Sequence, residues 1–347
     1  MTSVLGYFGM PGLPDRENAS GLASVTVYQS EGRKTDQASP AIAVNSVYKK
    51  FRSVEALCGA SFTLGNHERL ALLGPNGAGK TTMIRCLAGR TRPDAGQIEM
   101  HGKRLPATGG RGRMGLVPQD LAIYGDLTTR ENLVAFARFH GLAGKTLRSR
   151  VDWALTWTGL GERQNDLVGG FSGGMKRRVN LACGVMHQPS VLLLDEPTVG
   201  VDPQSRQRIF QMLDELHAAG TSVLLTTHHL DEAEQRCDRI VIIDHGNVVA
   251  DGTLAELVNR TIGASRHVKL QIDGPVREPM RGPMATWQVT GDPVANVLET
   301  RVNDVAGQLP GLLEGVRDAG YVVRNVDVRA PSLHDVFLHL TGKELRD

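Results

Sequence analysis

Apolar residues along this chain keep two rhythms, and the rhythm changes from segment to segment. Ala60-Ser61-Phe62-Thr63-Leu64 alternates apolar and polar side chains, the period of a strand with one buried face. Glu68–Leu73 reads as a strand that runs directly into a glycine-rich loop, with a helix beginning near Lys80. From about 125 to 190 the pattern is helical: Thr128 and Glu131 make a capping-box pair that opens one helix, and Gly141 closes it. Val191–Asp195 is a short apolar burst ending in carboxylates, which predicts a buried strand. The following helix is capped by Asp202, has Pro203 in its first turn and ends at Gly220; Ile209, Met212, Leu213 and Leu216 form its apolar stripe. Strand 222–226, a short helix near 231–237 and strand 239–244 complete the series. Strands alternating with helices predict an α/β fold with a mainly parallel sheet covered on both faces.

Composition divides the chain into three. Residues 1–40 are rich in Gly, Ser and Pro without periodicity and are expected to be a disordered leader. The alternating elements fill 41–262. From about 264 Gly, Pro and Val dominate, a strand at 267–272 opens a small α/β accessory domain running to 347, and its last helix starts at Pro331-Ser332. That helix carries Leu333, Val336, Phe337 and Leu340 on one face. The chain has 347 residues, 41% hydrophobic and 22% charged, which is ordinary for a globular protein. Its net charge of +2 gives no electrostatic reason to expect a nucleic-acid partner. No apolar run reaches the ~18–20 residues of a spanning helix, and the N-terminus has no basic-then-apolar signal pattern. Cys58, Cys86, Cys183 and Cys237 are scattered without a C-x-x-C pair and read as reduced thiols of a cytosolic protein.

Two segments carry chemistry. Gly74-Pro75-Asn76-Gly77-Ala78-Gly79-Lys80-Thr81 fits G-x-x-x-x-G-K-[ST] between a strand and a helix. Its glycines let the backbone wrap a phosphate with N–H groups inward, and the helix adds its positive dipole end. Lys80 brings a cation to the β- and γ-phosphates, Thr81 offers a hydroxyl to Mg²⁺, and Thr82 follows in the same turn. Asp195 and Glu196 end the buried strand; successive residues face opposite sides, so Asp195 can lie over the metal while Glu196 looks along the path of an attacking water.

Phe171-Ser172-Gly173-Gly174-Met175-Lys176-Arg177-Arg178, about twenty residues before Asp195, resembles the signature helix of ATP-binding cassettes, with Phe171 and Met175 departing from the usual Leu and Gln. Gln119 resembles the Q-loop residue that contacts Mg²⁺, Asp202 the D-loop carboxylate, and His228 the switch histidine on the γ-phosphate. Phe51 stands where an aromatic ring stacks on adenine, with Tyr48 as the alternative, and either ring could instead be core. His229 is expected to face solvent, and His67 replaces a turn glycine.

The resemblance covers roughly 41–262. It implies a P-loop NTPase fold: a RecA-like parallel core with antiparallel β and helical subdomains, plus the C-terminal appendage. The ending from Pro331 to Gly342 is similar to that of drug-resistance and sodium-export ATPases, which pair with ABC-2-type permeases. That likeness implies ATP and Mg²⁺ as ligands, and catalysis by Glu196 with His228, Gln119 and Lys80. A second copy is implied as partner, its Ser172, Gly173, Gly174 and Asp202 completing the phosphate site. It also implies separate membrane permeases, a place on the cytoplasmic face of the membrane, and export of a drug, small molecule, lipid or glycan. A soluble cassette acting on nucleic acid or ribosomes would bring tandem cassettes or long coiled coils, and a non-catalytic regulator would lack Lys80, Glu196 or His228.

Overall fold

Two short segments of this chain, Val191–Asp195 and Ser222–Thr227, are buried at every residue, so neither can lie at a surface. The computed structural model, which describes residues 39–106, 112–263, 265–274, 287–289 and 296–342, places both inside a six-stranded sheet. The expected leader therefore lies outside the described residues except for Ser39 and Pro40.

The chain opens with β1 (Ile42–Phe51) and β2 (Val54–Leu64), an antiparallel pair. It enters the centre with β3 (Arg69–Leu73) and leaves it through α1 (Lys80–Leu87). Next come β4 (Ala95–Met100), β5 (Lys103–Arg104) and β6 (Met114–Val117). The helical stretch resolves into α2 (Thr129–Phe139), α3 (Gly144–Thr158) and α4 (Gly173–Val185). Then β7 (Val191–Asp195), α5 (Pro203–Ala218), β8 (Ser222–Thr227), α6 (Leu230–Arg236) and β9 (Arg239–Asp244) alternate, and β10 (Asn247–Gly252) and α7 (Leu254–Thr261) follow. The remainder is β11 (Arg266–Ile272), β12 (Gln288–Val289), β13 (Val297–Val302), α8 (Val305–Asp318), β14 (Val323–Arg329) and α9 (Leu333–Thr341).

The central sheet runs β10-β9-β3-β8-β7-β6, parallel except for β10 at one edge. Period-2 alternation sorts its side chains into two cores. Leu70, Leu72, Leu193 and Leu224 face α1 and the antiparallel sheet β2-β1-β4-β5, whereas Ala71, Leu73, Leu192 and Leu194 face α4 and α5. The expected capping box is present: Thr128 Oγ1 accepts from the Glu131 N–H at 3.2 Å and the Glu131 carboxylate accepts from the Thr128 N–H at 2.8 Å. Asp202 caps α5 by accepting from the Ser205 N–H at 2.9 Å.

The third sheet, β12-β13-β11-β14, covers α8 with a small core of its own, built on Val268, Leu270, Leu298 and Val316. The last helix does not join it. Leu333, Val336 and Phe337 of α9 are buried in the larger core with Ala233 of α6 and Leu257 of α7, and the Leu333 N–H donates to Glu234 at 2.8 Å. Composition places 264–347 in one accessory segment; by packing, its final helix is part of the larger core on the central sheet. Phe337 is 1% exposed, so Phe337→Ala is expected to destabilise the protein by about 3–5 kcal/mol, read as a fall in the denaturant midpoint. Among the described residues no helix is long and apolar enough to cross a membrane.

Candidate active site

β3 stops at Leu73 and the chain must turn tightly before α1 starts at Lys80. At Gly74 a Cβ would meet the Ile243 carbonyl oxygen at 2.2 Å. Gly79 has φ +109°, and a Cβ there would meet the Ala56 oxygen at 2.4 Å, so both positions require glycine for close backbone approach. The Ala78 N–H donates to Pro75 O at 3.1 Å and Ala78 O accepts from the Gly246 N–H at 3.0 Å, which ties the loop to the β9–β10 turn.

This loop forms the floor of a cleft of about 600 Å³. Residues Asn76, Gly77, Ala78, Gly79, Lys80, Thr81 and Thr82 line it, joined by Gln119, Glu196, Val199 and His228 and by Phe51, Val54 and Ala56 from β1 and β2. The Phe51 ring is 45% exposed there, a flat apolar surface at the rim, while Tyr48 lies over Gly59. Gly74 and Pro75 contribute through their backbone. The buried Lys80 ammonium donates to Gly74 O at 2.7 Å and Pro75 O at 3.2 Å. Burial pulls its pKa below the ordinary lysine value, opposed by the nearby charges of Glu196 and Asp195.

The two carboxylates at the end of β7 point apart, and the cause is not the strand alternation expected from the sequence, since Glu196 lies just beyond the strand with a left-handed backbone. Asp195 Oδ1 accepts from the Thr226 hydroxyl at 2.7 Å and from the Thr81 hydroxyl at 3.3 Å. Glu196 sits at φ +48°, a conformation costing a non-glycine residue on the order of 1–3 kcal/mol, and its N–H is held by Thr226 Oγ1 at 3.0 Å. Its side chain turns the other way: Glu196 Oε2 accepts from Gln119 Nε2 at 3.2 Å and lies 3.4 Å from His228 Nδ1. Hydroxyl, carboxylate and amide oxygens from Thr81, Asp195 and Gln119 are the hard donors that suit Mg²⁺ when phosphate oxygens complete its shell. Among the described residues no cluster of three or more His, Cys, Asp or Glu could hold a metal alone.

The remaining expected residues lie elsewhere. Ser172 and Gly173 are exposed at the tip of α4, with the Ser172 hydroxyl accepting from the Met175 N–H at 3.3 Å. Gly174 is pressed on α5, where a Cβ would meet Ser205 Oγ at 2.1 Å. Asp202 is exposed beside them, its carboxyl held below the ordinary range by the Ser205 N–H. None of these four lines the cleft of its own chain. Met175 is half-buried against the larger core. His229, expected to face solvent, is half-buried, its ring 4.3 Å from that of His228. His67 holds its turn at φ +53°, the left-handed conformation that glycine would supply without strain.

Two residues that matter here escape a reading of the sequence. Thr226 reads as a β-branched strand residue, yet its one hydroxyl holds both Asp195 and the Glu196 backbone. Arg177 lies inside the basic run Lys176-Arg177-Arg178, which suggests a solvated face, yet it is 6% exposed and bonds the carbonyls of the Gln119 loop.

A glycine loop opening a helix, with a carboxylate pair one strand removed across the sheet, defines a P-loop nucleoside-triphosphate hydrolase. Residues 57–199 match the ABC transporter family model. The chain is 38% identical over 316 residues to the daunorubicin resistance ATP-binding protein of Streptomyces coeruleorubidus, covering 89% of this chain and 98% of that one. It is 35% identical over 308 residues to the linearmycin resistance ATP-binding protein of Bacillus subtilis, covering 87% and 98%. It is 37% identical over 319 residues to the Nod factor export ATP-binding protein of Ralstonia nicotianae, covering 89% and 96%. A solved ATP-binding subunit of an ABC transporter superposes with a TM-score of 0.58 at 31% identity, covering 63% of this chain and 92% of its own. The chain belongs to the ABC transporter family. It is an ATP-binding subunit of the exporter type, and its activity is ATP hydrolysis.

Proposed function

We propose that two copies of this chain close head to tail on two Mg·ATP and that hydrolysis reopens them, driving separate ABC-2-type permease subunits from the cytoplasmic face of the membrane. The observation that carries the reading is the placement of Ser172 and Gly173. They are the exposed first residues of a helix whose N-terminal tip lies outside their own cleft, an arrangement suited to a phosphate brought by another chain. Asp202 and Gly200 flank the same tip and would lie in the same interface.

Within each cleft Lys80 and the loop N–H groups hold the β- and γ-phosphates, while Thr81 and Asp195 with Gln119 hold the metal. Magnesium supplies charge neutralisation on the phosphate oxygens. Glu196 takes the proton of the attacking water, Gln119 and His228 fix the direction of its carboxylate, and Phe51 stacks on the base. The cargo is a drug or other small molecule, a lipid or a glycan, recognised by the permease and not by this subunit.

Gly173→Asp tests the composite site, because a carboxylate at the helix tip repels phosphate yet leaves the cleft of its own chain untouched. The variant is expected to bind ATP with unchanged affinity and to lose ATP-driven dimerisation and turnover by about a hundredfold or more. Size-exclusion chromatography with and without ATP, paired with phosphate release, measures both. Normal dimerisation and turnover in this variant would sink the proposal.

A further inference from the structure

A buried guanidinium normally answers a carboxylate, and the bonds that Arg177 makes are instead to backbone carbonyls. Its Nη1 donates to Gln119 O at 2.7 Å and Pro118 O at 3.3 Å, and its Nη2 to Val199 O at 3.4 Å. Pro118 and Gln119 follow the end of β6; Val199 lies three residues beyond Glu196 and lines the cleft. Gln119 in turn donates its side-chain N–H to Glu196. A second α4 residue holds the same loop: Asn180 Oδ1 accepts from the Ala122 N–H at 3.1 Å. Arg177 stands one helical turn beyond Gly173, on the same side of α4.

We propose that Arg177 is a positioning residue for hydrolysis, clamping the Gln119 loop and the Val199 segment to the signature helix so that Glu196 is aimed at the attacking water. The proposal rests on Glu196 acting as the base. A planar fork reaches carbonyls of two different loops at once; a lysine ammonium reaches one loop at best, and a glutamine amide is too short. The clamp also connects the two ends of the catalytic cycle. Any shift of the α4 tip against a partner's phosphate moves the guanidinium, and with it the loops on either side of Glu196 in the same chain.

The test uses the full chain with Arg177→Gln and Arg177→Lys, and two readouts. Amide hydrogen exchange without nucleotide reports the clamp itself. In Arg177→Gln, the amides of residues 119–122 and 198–202 are expected to exchange about tenfold faster or more, with β3 unchanged and Arg177→Lys between the two. Steady-state kinetics report the consequence: kcat falls about thirtyfold in Arg177→Gln while ATP affinity stays within about twofold, because misaimed groups cost turnover and not binding. Arg177→Lys recovers part of kcat.

Unchanged exchange in those two segments overturns the proposal whatever the kinetics show. Faster exchange throughout, β3 included, with affinity and turnover falling together, makes Arg177 a residue of global stability and overturns it equally. If the segments loosen but Glu196→Gln retains full turnover, the clamp is real and the choice of base is what failed.

Discussion

Replacing Glu196 by Gln lowers ATP turnover by about three orders of magnitude and leaves ATP binding intact. The amide has the shape of the carboxylate, so the cleft keeps its form, but it cannot accept a proton from water. Glu196 is well placed for that task. Its Oε2 is reached by Gln119 Nε2 at 3.2 Å and lies 3.4 Å from His228 Nδ1, so the carboxylate is oriented from two sides. The strained φ of +48° is a further sign that the backbone is held for this purpose by the surrounding contacts, among them the Thr226 hydroxyl. Removing one negative charge near the γ-phosphate position should if anything tighten nucleotide binding, and the ATP-closed dimer should accumulate. Phosphate release under saturating ATP and a binding titration separate the two effects. Turnover within about fivefold of the wild type would place the base elsewhere.

Lys80→Ala has the second large effect: ATP affinity falls by about a hundredfold or more, since two charge-assisted contacts to phosphate are worth roughly 1.5–3 kcal/mol each. Lys80 is 6% exposed and donates to the carbonyls of Gly74 and Pro75, so its ammonium is pre-positioned at the mouth of the loop. Burial already disfavours its charged form, opposed by Asp195 and Glu196. AMP provides the discriminating comparison, because it lacks the phosphates that Lys80 reaches. Its affinity should change little in the variant. An equal loss for AMP and ATP would mean that the substitution collapses the loop and removes no specific contact.

The phosphate loop was legible from sequence because its chemistry is local: eight consecutive residues carry the turn, the cation and the hydroxyl. The Val191–Asp195 strand and its carboxylates were legible for the same reason, a short apolar run that stops at charge. The proposed composite site enters only through resemblance, since nothing in Ser172-Gly173-Gly174 says which chain its phosphate would belong to. Thr226 and Arg177 were hidden for a different reason. A hydroxyl between two strand ends acquires its role from the order β3-β8-β7, and the burial of the middle member of a three-cation run depends on how α4 is rotated against its neighbours. Likewise the apolar face of Leu333, Val336, Phe337 and Leu340 announced a packed helix, but amphipathicity does not name the surface it covers. Composition suggested the nearby appendage; the structure gives that face to the larger core.

That return of α9 to the larger core bears on how the protein is made. A ribosome that has finished the strand holding Lys80's loop, and even the histidine that follows β8, has not yet supplied the piece that closes the larger core beneath them. Until residues 333–341 emerge, the nascent chain exposes a greasy seam along α6 and α7. Closure of the core beneath the nucleotide site is thereby tied to residues 333–341, and a chain stopped short of them is released with that seam uncovered, a ready substrate for chaperones and proteases.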